Sequence, residues 1–434
     1  MNNNPVPYSP LLLTLLLALP LVCVPFSVSG QQHTESKDEA EKLFSSHSQS
    51  IYQIRVIELA TGNKAAIGSG FLIDNQGHIA TNFHVVSNFV HQPARYRLEY
   101  AGVDGLTGEL ELVDIDVVHD LAIAKGNTGE TKAIRLGHSK LSKGTRIFSL
   151  GNPHDLGLSV VEGTYNGLLE KSLFDKIFFS GSLNPGMSGG PTLNHAGQVI
   201  GINVSTAGNQ VSFLVPVHYL KNLLNEVQQN KTDTPDLKTR IEQQLFSHQE
   251  KFITKLVNSE WKTTSLGPFT LPGSIDDIFK CWGDSDDDLD ALIEHAYSNC
   301  FSEDQIFLAQ RFTTGGLAYT YDYYRGKQIN SLHFYNLYSN EYNQPMRTNS
   351  ASKDEVDNYQ CHVDFVEFSG KNWKMAFCTR QYKKYPSLYD TTVSLALVTE
   401  SDVGLVIQLT ASGAGKDTAL ALTRKFIQHI TWQN

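Results

Sequence analysis

The segment LNPGMSGGPT, Leu183–Thr192, surrounds one serine, Ser188, with three glycines. A serine that acts as a nucleophile in acyl transfer needs a base within hydrogen-bond reach, a carboxylate that orients this base, and N–H donors for the developing oxyanion. Glycine at position 186 would let the backbone N–H groups of Gly186 and Ser188 converge on one point. We therefore predict that Ser188 is a nucleophile and that these two N–H groups form an oxyanion hole.

The base and the carboxylate that such a nucleophile requires are found upstream. His84 lies in the segment ATNFHVV, where we expect it to end a strand whose apolar residues enclose the ring. The segment DIDVVHDLAIAKG offers three carboxylates. Asp114 and Asp116 alternate with apolar residues, as solvent-facing strand positions do, whereas Asp120 precedes an apolar run that would bury it beside an imidazole. We therefore predict a triad of His84, Asp120 and Ser188.

The elements that must position these residues are short strands. Between residues 51 and 216, segments such as IGSGFLID, TRIFSLG and QVIGINVS are rich in Val, Ile, Phe and Thr and are separated by turn signals. Many short strands at this spacing are typical of antiparallel barrels or sandwiches. The stretch has room for two small barrels, and we assign residues 46–224 to one domain.

The second half of the chain has a different pattern. The segment after residue 236 has apolar residues at helical spacing, and its predicted inner face contains Leu237, Ile241, Leu245 and Phe252. We assign residues 225–260 to a helical linker. Further on, segments such as LAYTYDYY and SLHFYNLY alternate as strands do, and a helical stretch closes the chain. We predict a mainly β protein, with a separate α+β domain over residues 261–434.

The composition excludes several classes of function. Of the 434 residues, 41% are hydrophobic and 18% are charged, as in soluble globular proteins. The formal net charge of -10 argues against nucleic-acid binding, which needs a basic surface. The acidic run Asp284–Asp290 lacks the Gly and Glu that an EF-hand loop needs at its sixth and twelfth positions, so we expect an acidic helix start there. We expect no metal and no cofactor.

Residues 1–30 and the cysteines indicate export. The first thirty residues are apolar and carry no charge, which predicts a signal peptide, with an N-terminal membrane anchor as the alternative. Apart from Cys23, the chain contains an even set without a CxxC pair, namely Cys281, Cys300, Cys361 and Cys378. Such a set predicts two disulfides in an oxidising compartment, periplasmic or secreted, with three pairings open. The sequential pairing closes the shortest loops.

Four segments carry a resemblance to a known family: GSGFLIDNQGHIATNFHVV, DLAIAKG, SLGNPHDLGLSVVEGTYNGLL and NPGMSGGPTLNHAGQVIGIN. From residue 51 to residue 220 the chain resembles the trypsin-like domain of the HtrA/Deg serine proteases, in the chymotrypsin clan. The resemblance implies a chymotrypsin-like double β-barrel with the active site between the barrels, and catalytic roles for His84, Asp120 and Ser188. The chain departs from the family at Met187, where Asn is usual, and we recognise no PDZ domain in its C-terminal half.

The resemblance also implies where specificity is determined. In the chymotrypsin fold, the residue six positions before the nucleophile lies at the base of the pocket for the side chain that precedes the cut. Here that residue is Ser182, which has no charge to pair with Arg or Lys. We therefore expect an apolar residue before the cut.

We predict a serine endopeptidase that cleaves unfolded or exposed segments of exported polypeptides. One alternative is a catalytically silent trypsin-fold module that binds or chaperones other proteins. In another, the C-terminal half is a binding domain and the protease is its effector. No nucleic-acid partner is expected, and membrane contact is expected only through an uncleaved N-terminal segment; the sequence leaves the oligomeric state open.

Overall fold

The computed structural model describes residues 38–229, 236–286, 291–342 and 350–433. The predicted leader lies outside these ranges. The first half of the chain forms two closed antiparallel barrels, each of six strands. The first contains β1 (Ile51–Glu58), β2 (Lys64–Leu72), β3 (His78–Thr81), β4 (Tyr96–Ala101), β5 (Thr107–Asp116) and β6 (Leu121–Lys125). The second contains β7 (Arg146–Gly151), β8 (Ser159–Leu168), β9 (Ile177–Phe179), β10 (Pro191–Leu193), β11 (Val199–Gly208) and β12 (Val211–Pro216).

Within the described residues, three α-helices accompany the barrels. They are α1 (Glu39–His47), α2 (Phe83–His91) and α3 (Val217–Gln229). A hydrophobic cluster that contains Phe71 and Ile123 of the first barrel and Leu150 and Ile202 of the second joins the two barrels directly. The strands that carry the predicted site residues are therefore held against each other by a shared core.

The C-terminal half is an α+β structure around a seven-stranded antiparallel sheet. The sheet has the order β15-β16-β19-β23-β22-β21-β20, beside a three-stranded sheet β13-β14-β24 and a hairpin β17-β18. The first strands are β13 (Thr263–Leu266), β14 (Phe269–Pro272), β15 (Phe279–Ser285), β16 (Ile293–Ser302), β17 (Ile306–Ala309), β18 (Phe312–Thr314) and β19 (Leu317–Gly326). The later ones are β20 (Gln360–Phe368), β21 (Lys371–Gln381), β22 (Tyr389–Leu397), β23 (Val403–Ala414) and β24 (Thr431–Trp432). The helices are α4 (Leu237–Asn258), α5 (Ser331–Tyr342) and α6 (Lys416–Gln428). The predicted fold class is confirmed.

Both disulfides connect residues that face each other across a hairpin. Cys281 of β15 is bonded to Cys300 of β16, and Cys361 of β20 to Cys378 of β21. Of the three pairings that the sequence left open, the sequential one is present. The two bonds are typical of an oxidising compartment.

Two local predictions in this half are wrong. The segment SLHFYNLY is not a strand but lies in α5, because its aromatic residues Phe334 and Tyr338, together with Tyr342 beyond the segment, recur every four positions and pack together against the sheet. The acidic run does not start a helix: Asp284 belongs to β15, which pairs with β16 as a hairpin. Residues 287–290 of that run lie outside the described ranges.

Among the described helices, none combines the length and the apolar character needed to cross a membrane.

Helix α4 connects the first barrel to the C-terminal sheet through its two ends. Ile241 and Leu245 belong to the hydrophobic cluster of the first barrel, and Phe252 and Leu256 belong to the cluster beneath the seven-stranded sheet. The Gln244 amide accepts a hydrogen bond from Val117 N–H at 2.9 Å and donates one to the Ile115 carbonyl at 2.7 Å. The helix is thus fixed to the end of β5 by both apolar and polar contacts.

Asp114 does not face solvent, contrary to the sequence prediction. The helix α4 covers it, and the guanidinium of Arg240 donates two hydrogen bonds to its carboxylate at 3.1 and 3.0 Å. Only 4% of Asp114 is exposed. Burial raises the pKa of Asp114 by more than Arg240 lowers it, so the ion pair offsets only part of the cost of desolvation.

We expect Arg240→Met to destabilise the protein by about 3 kcal/mol, because it leaves the Asp114 carboxylate buried without its cation. The denaturant midpoint of unfolding measures this loss. The matched control is Arg95→Met, which removes an exposed partner of Glu58 and should leave the denaturant midpoint nearly unchanged, because solvent screens this pair. Equal shifts for both variants would contradict a structural role for the buried pair.

Candidate active site

The sequence predicts His84 at the end of a strand, but in the structure it lies in the first turn of α2. Strand β3 ends at Thr81, and the helix begins at Phe83 after Asn82, which has the extended conformation of an N-cap residue. The apolar side chains of Phe83 and Val86 point into the first barrel and are fully buried. Buried residues before and after His84 in the helical turn, Phe83 and Val86, therefore hold it in place.

The Asp120 carboxylate binds His84 at two points. One oxygen accepts the backbone N–H of His84 at 2.8 Å, and the other lies 2.6 Å from its ring nitrogen Nδ1. The backbone N–H is one of the donors that a helix N-terminus leaves unpaired, and a negative charge there is favourable to the helix dipole. In turn, the Asn82 side chain donates to the Asp120 carbonyl at 2.8 Å. The ring and its orienting carboxylate are thus held as one unit.

This arrangement determines how His84 titrates. Burial lowers the pKa of His84, but the charge of Asp120 and the hydrogen bond to it raise that pKa further, so the net shift is upward. In the neutral ring, the contact with Asp120 places the proton on Nδ1 and leaves Nε2 as the acceptor. A general base for a hydroxyl group requires this tautomer.

Ser188 is brought to the same place by close backbone packing. A side chain at Gly189 would overlap the carbonyl oxygen of Ser69 and the hydroxyl of Thr81, and it would lie 3.0 Å from the N atom of Asn82. The Ser188 carbonyl accepts the Ser69 N–H at 2.7 Å. The Ser188 hydroxyl donates to the Val204 carbonyl at 3.3 Å and makes no hydrogen bond to His84. The hydroxyl must therefore rotate before it can give its proton to the imidazole.

Gly186 and a hydrogen bond to His154 fix the backbone conformation of the loop before Ser188. Gly186 has φ of 95°, and a side chain there would overlap the Asn152 carbonyl oxygen, so only glycine fits. The Pro185 carbonyl accepts the N–H of His154 at 2.8 Å. Because the peptide bond is planar and trans, the Gly186 N–H points away from His154. Within the described part of the chain, neither the Gly186 N–H nor the Ser188 N–H has a hydrogen-bond acceptor.

Two buried polar residues that the sequence analysis missed hold this loop. The Ser69 hydroxyl donates to the Gly186 carbonyl at 2.7 Å and accepts the Asn152 N–H at 2.8 Å. The Asn203 amide donates to the Met187 carbonyl at 3.2 Å and to the Leu150 carbonyl at 3.0 Å. Asn203 is the single polar residue in the apolar run from Val199 to Val204, and this isolation is the signal that could have identified it.

The surroundings of Ser188 are open. Ser182 is exposed, and the N–H of the next residue, Leu183, donates to the Ser212 hydroxyl at 3.3 Å. Strand β11 pairs with β10 only as far as Ile202, so that from Val204 onward it pairs with β12 alone. Among the described residues, no group of three or more His, Cys, Asp or Glu is arranged to hold a metal ion.

Part of the chain is similar to known proteins. Residues 68–202 match the family described as trypsin-like peptidase domain. The chain is 33% identical to serine protease HTRA1 of Xenopus tropicalis over 172 residues, which are 37% of this chain and 36% of that protein. It is 31% identical to mitochondrial serine protease HTRA2 of Drosophila erecta over 185 residues, 40% of this chain and 43% of that protein. The serine endoprotease structure from Yersinia pestis has a TM-score of 0.39 at 22% identity and covers 44% of this chain and 66% of that one.

The chain therefore contains a trypsin-like serine peptidase domain, and the resemblance to the HtrA/Deg proteases is confirmed. The curated relatives are matched over less than half of their length, at 36% and 43%. The seven-stranded sheet and its helices lie beyond residue 202, where the match to the peptidase family ends.

Ser69→Ala should disturb the oxyanion loop without altering Ser188, His84 or Asp120. The variant releases the Gly186 carbonyl and the Asn152 N–H from a shared hydroxyl, so the peptide between Gly186 and Met187 is no longer held and the loop around the Gly186 N–H loosens. We expect the rate at which a fluorophosphonate modifies Ser188 to fall about tenfold or more. Ser45→Ala, which removes an exposed hydroxyl, is the control and should leave that rate unchanged. An unchanged rate for Ser69→Ala would rule out this role.

Proposed function

We propose that the protein is a serine endopeptidase in which His84, Asp120 and Ser188 act as a triad within a domain of residues 46–224. The observation that carries the proposal is the double contact of Asp120 with the N–H and the Nδ1 of His84, beside a loop in which Ser188 follows Gly186. Single histidines, aspartates and glycine-rich turns are common, but this combination supplies the base, the orienting carboxylate and the nucleophile that acyl transfer requires.

In the proposed mechanism, His84 Nε2 takes the proton of the Ser188 hydroxyl as Oγ attacks the scissile carbonyl. The imidazolium that forms is stabilised by Asp120, which keeps the proton on Nδ1. His84 then gives the proton from Nε2 to the leaving amine, and the acyl-enzyme remains on Ser188. Water, deprotonated by His84, attacks the ester and restores the hydroxyl. The protein's residues alone supply this chemistry, and no cofactor takes part.

The N–H groups of Gly186 and Ser188 would bind the oxyanion of each tetrahedral intermediate. Preorganised donors of this kind lower the barrier because they need no reorientation during the reaction. The hydrogen bonds of the Pro185 and Gly186 carbonyls to His154 and Ser69 support this role, since they fix both peptides that flank Gly186.

A polypeptide substrate would bind as an additional strand. Among the described residues, the outer half of β11, from Val204 to Gly208, has no strand partner on the edge next to the Ser188 hydroxyl, and such an edge can pair with an extended backbone. Only an unfolded or exposed segment can present such a backbone, so we propose polypeptides with exposed segments as substrates.

We also propose that the protein is exported to the periplasm or beyond the cell. The two disulfides support this location because they persist in oxidising compartments. The apolar, uncharged residues 1–30 would serve as the signal peptide.

A catalytically silent binding module is the alternative, and one observation favours it: the Ser188 hydroxyl donates to Val204 instead of His84. A fluorophosphonate separates the two functions, since it modifies only a serine that a base can activate. In free proteases the hydrogen bond from nucleophile to base is often long or misaligned, and it tightens when substrate binds.

We predict that Ser188→Ala abolishes casein cleavage and fluorophosphonate labelling while the denaturant midpoint stays near that of the unchanged protein. Loss of the nucleophile of a triad costs about a million-fold in kcat. Casein cleavage by the variant at a comparable rate would refute the proposed triad.

Asp120→Asn tests the orienting role within the same assay. We expect kcat to fall about 10⁴-fold, because the amide does not hold the Nδ1–H tautomer. Since Asp120 raises the pKa of His84 and only the neutral ring accepts a proton, the remaining activity should persist to lower pH than in the unchanged protein. A steeper loss of activity on acidification would contradict this assignment.

Cleavage specificity is the further proposal. We propose that Ser182 lies at the base of the pocket for the residue before the cut, which would then hold Val, Leu, Ala or Met in preference to Arg or Lys. A pocket without a carboxylate leaves a basic side chain unpaired. Digestion of a denatured protein mixture, followed by sequencing of the new termini, measures the preference. Dominant cleavage after Arg or Lys would overturn it, and Ser182→Asp should move the preference toward these residues.

A further inference from the structure

A short segment of the C-terminal half, Asp304–Phe307, contacts both barrels beside the His84–Asp120 pair. It leads from the end of β16 into β17. Its first residue is bound to the loop between β8 and β9 of the second barrel, residues 169–176, and its last residue packs against the first barrel. A single segment from outside the peptidase domain therefore reaches both sides of the candidate active site.

Phe307 packs directly against His84. Their ring centroids are 5.9 Å apart with an angle of 69° between the planes, and the Phe307 ring also lies 6.3 Å from that of buried Phe83. The next residue, Leu308, accepts a hydrogen bond from His91 Nε2 at 2.7 Å through its carbonyl, at the far end of α2. The hairpin β17-β18 thus contacts α2 at both ends, and Phe307 restricts the movement of the imidazole on the face it covers.

Asp304 fixes the loop of residues 169–176. One carboxylate oxygen accepts the Ser172 hydroxyl at 2.7 Å and the Leu173 N–H at 2.6 Å, and the other pairs with Lys176 at 2.5 Å. Burial raises the pKa of Asp304, but Lys176 and the two hydrogen bonds lower it more, so the carboxylate stays charged and paired. Its side chain is only 12% exposed, which makes this a shielded contact rather than a surface ion pair.

The same loop continues to Asp120 through aromatic contacts. Phe174 meets the ring of His119 edge-on at 5.7 Å, and His119 stacks on Tyr219 at 3.6 Å. His119 is also held by Asp116, 2.6 Å from its Nδ1, and immediately precedes Asp120 in the chain. Asp304 therefore supports the residue next to Asp120, while Phe307 supports His84 itself.

We propose that the C-terminal half is part of the catalytic unit: the segment Asp304–Phe307 completes the wall of the active site, with Phe307 as a positioning residue for His84 and Asp304 as the anchor of the loop of residues 169–176. The proposal rests on the proposed peptidase function for its kinetic consequences. Its structural basis is independent of that function, because the contacts exist whether or not Ser188 is active.

The kinetic test compares Phe307→Ala with Phe307→Tyr, which keeps the ring. Loss of the ring frees the imidazole to leave its attack geometry, so we expect Phe307→Ala to lower both kcat and the fluorophosphonate labelling rate about tenfold or more, with KM changed less than about threefold. Phe307→Tyr should retain most of both rates, because the ring that contacts His84 is still present. Phe365→Ala, which removes an exposed phenylalanine of β20, is the control.

Asp304→Asn tests the anchor. It removes the charge that pairs with Lys176, so we expect faster amide hydrogen exchange in residues 169–176 and a lower kcat/KM by about tenfold. The neighbouring Glu303→Gln, which removes one partner of an exposed pair with Lys280, should change neither quantity. Loop exchange equal to that of the unchanged protein would overturn the role of Asp304.

One further measurement separates this proposal from the peptidase function. The proton on His84 Nδ1 can be followed by NMR in the full chain, with or without activity. We expect Phe307→Ala to shift or broaden this resonance, and an unchanged resonance would overturn the role of Phe307. If the unchanged protein neither cleaves casein nor reacts with the fluorophosphonate, the proposed peptidase function is wrong. The His84 resonance and the hydrogen exchange of residues 169–176 still test the contacts of Phe307 and Asp304 in that case.

Discussion

The contact between Asp120 and His84 is the interaction on which the rest of the site depends. One carboxylate closes the N-terminus of α2 and orients the ring of the second residue of that helix. The Asp120 carboxylate therefore has two effects: it gives the unpaired N–H at the start of α2 an acceptor, and it fixes the tautomer of the imidazole. Any change that moves Asp120 alters both at once.

The residues of the proposed triad could be singled out from the sequence, whereas the residues that support them could not. Ser188 and its glycines are local features, since a turn with φ above zero and no space for side chains requires glycine within a few residues. Ser69, by contrast, acts on Gly186 across 117 positions, and Arg240 acts on Asp114 across 126. No pattern within either segment indicates such a partner, because the contact exists only after the barrels and helix α4 have packed.

The predictions for His84 and for the segment in α5 are wrong for the same reason: the structure there depends on packing against other parts of the chain. His84 was placed at a strand end because ATNFHVV is apolar and β-branched, but the strand stops where Asn82 can begin a helix over the barrel. The polar and apolar residues at the start of α5 alternate in sequence as they do in a strand. In the structure, Phe334 and Tyr338 are four positions apart and lie on the helix face that covers the sheet. In both cases tertiary packing decided between two local structures that the segment allows.

Three residues near the candidate site keep a left-handed backbone conformation, and their packing explains why. Asp120, His154 and Asp155 all have φ above zero, at 57°, 49° and 62°. Each such conformation costs a non-glycine residue about 1 kcal/mol. Glycine would relieve the strain at residue 120, but it would also remove the carboxylate that binds His84. At residue 155 it would remove the bonds to Gln53 at 2.7 Å and Lys64 at 2.5 Å, which tie the loop above Gly186 to the first barrel. At residues 120 and 155 the side chain is needed where the backbone is strained. The strain persists because the hydrogen bonds of these carboxylates, to His84 and to Gln53 and Lys64, offset its cost.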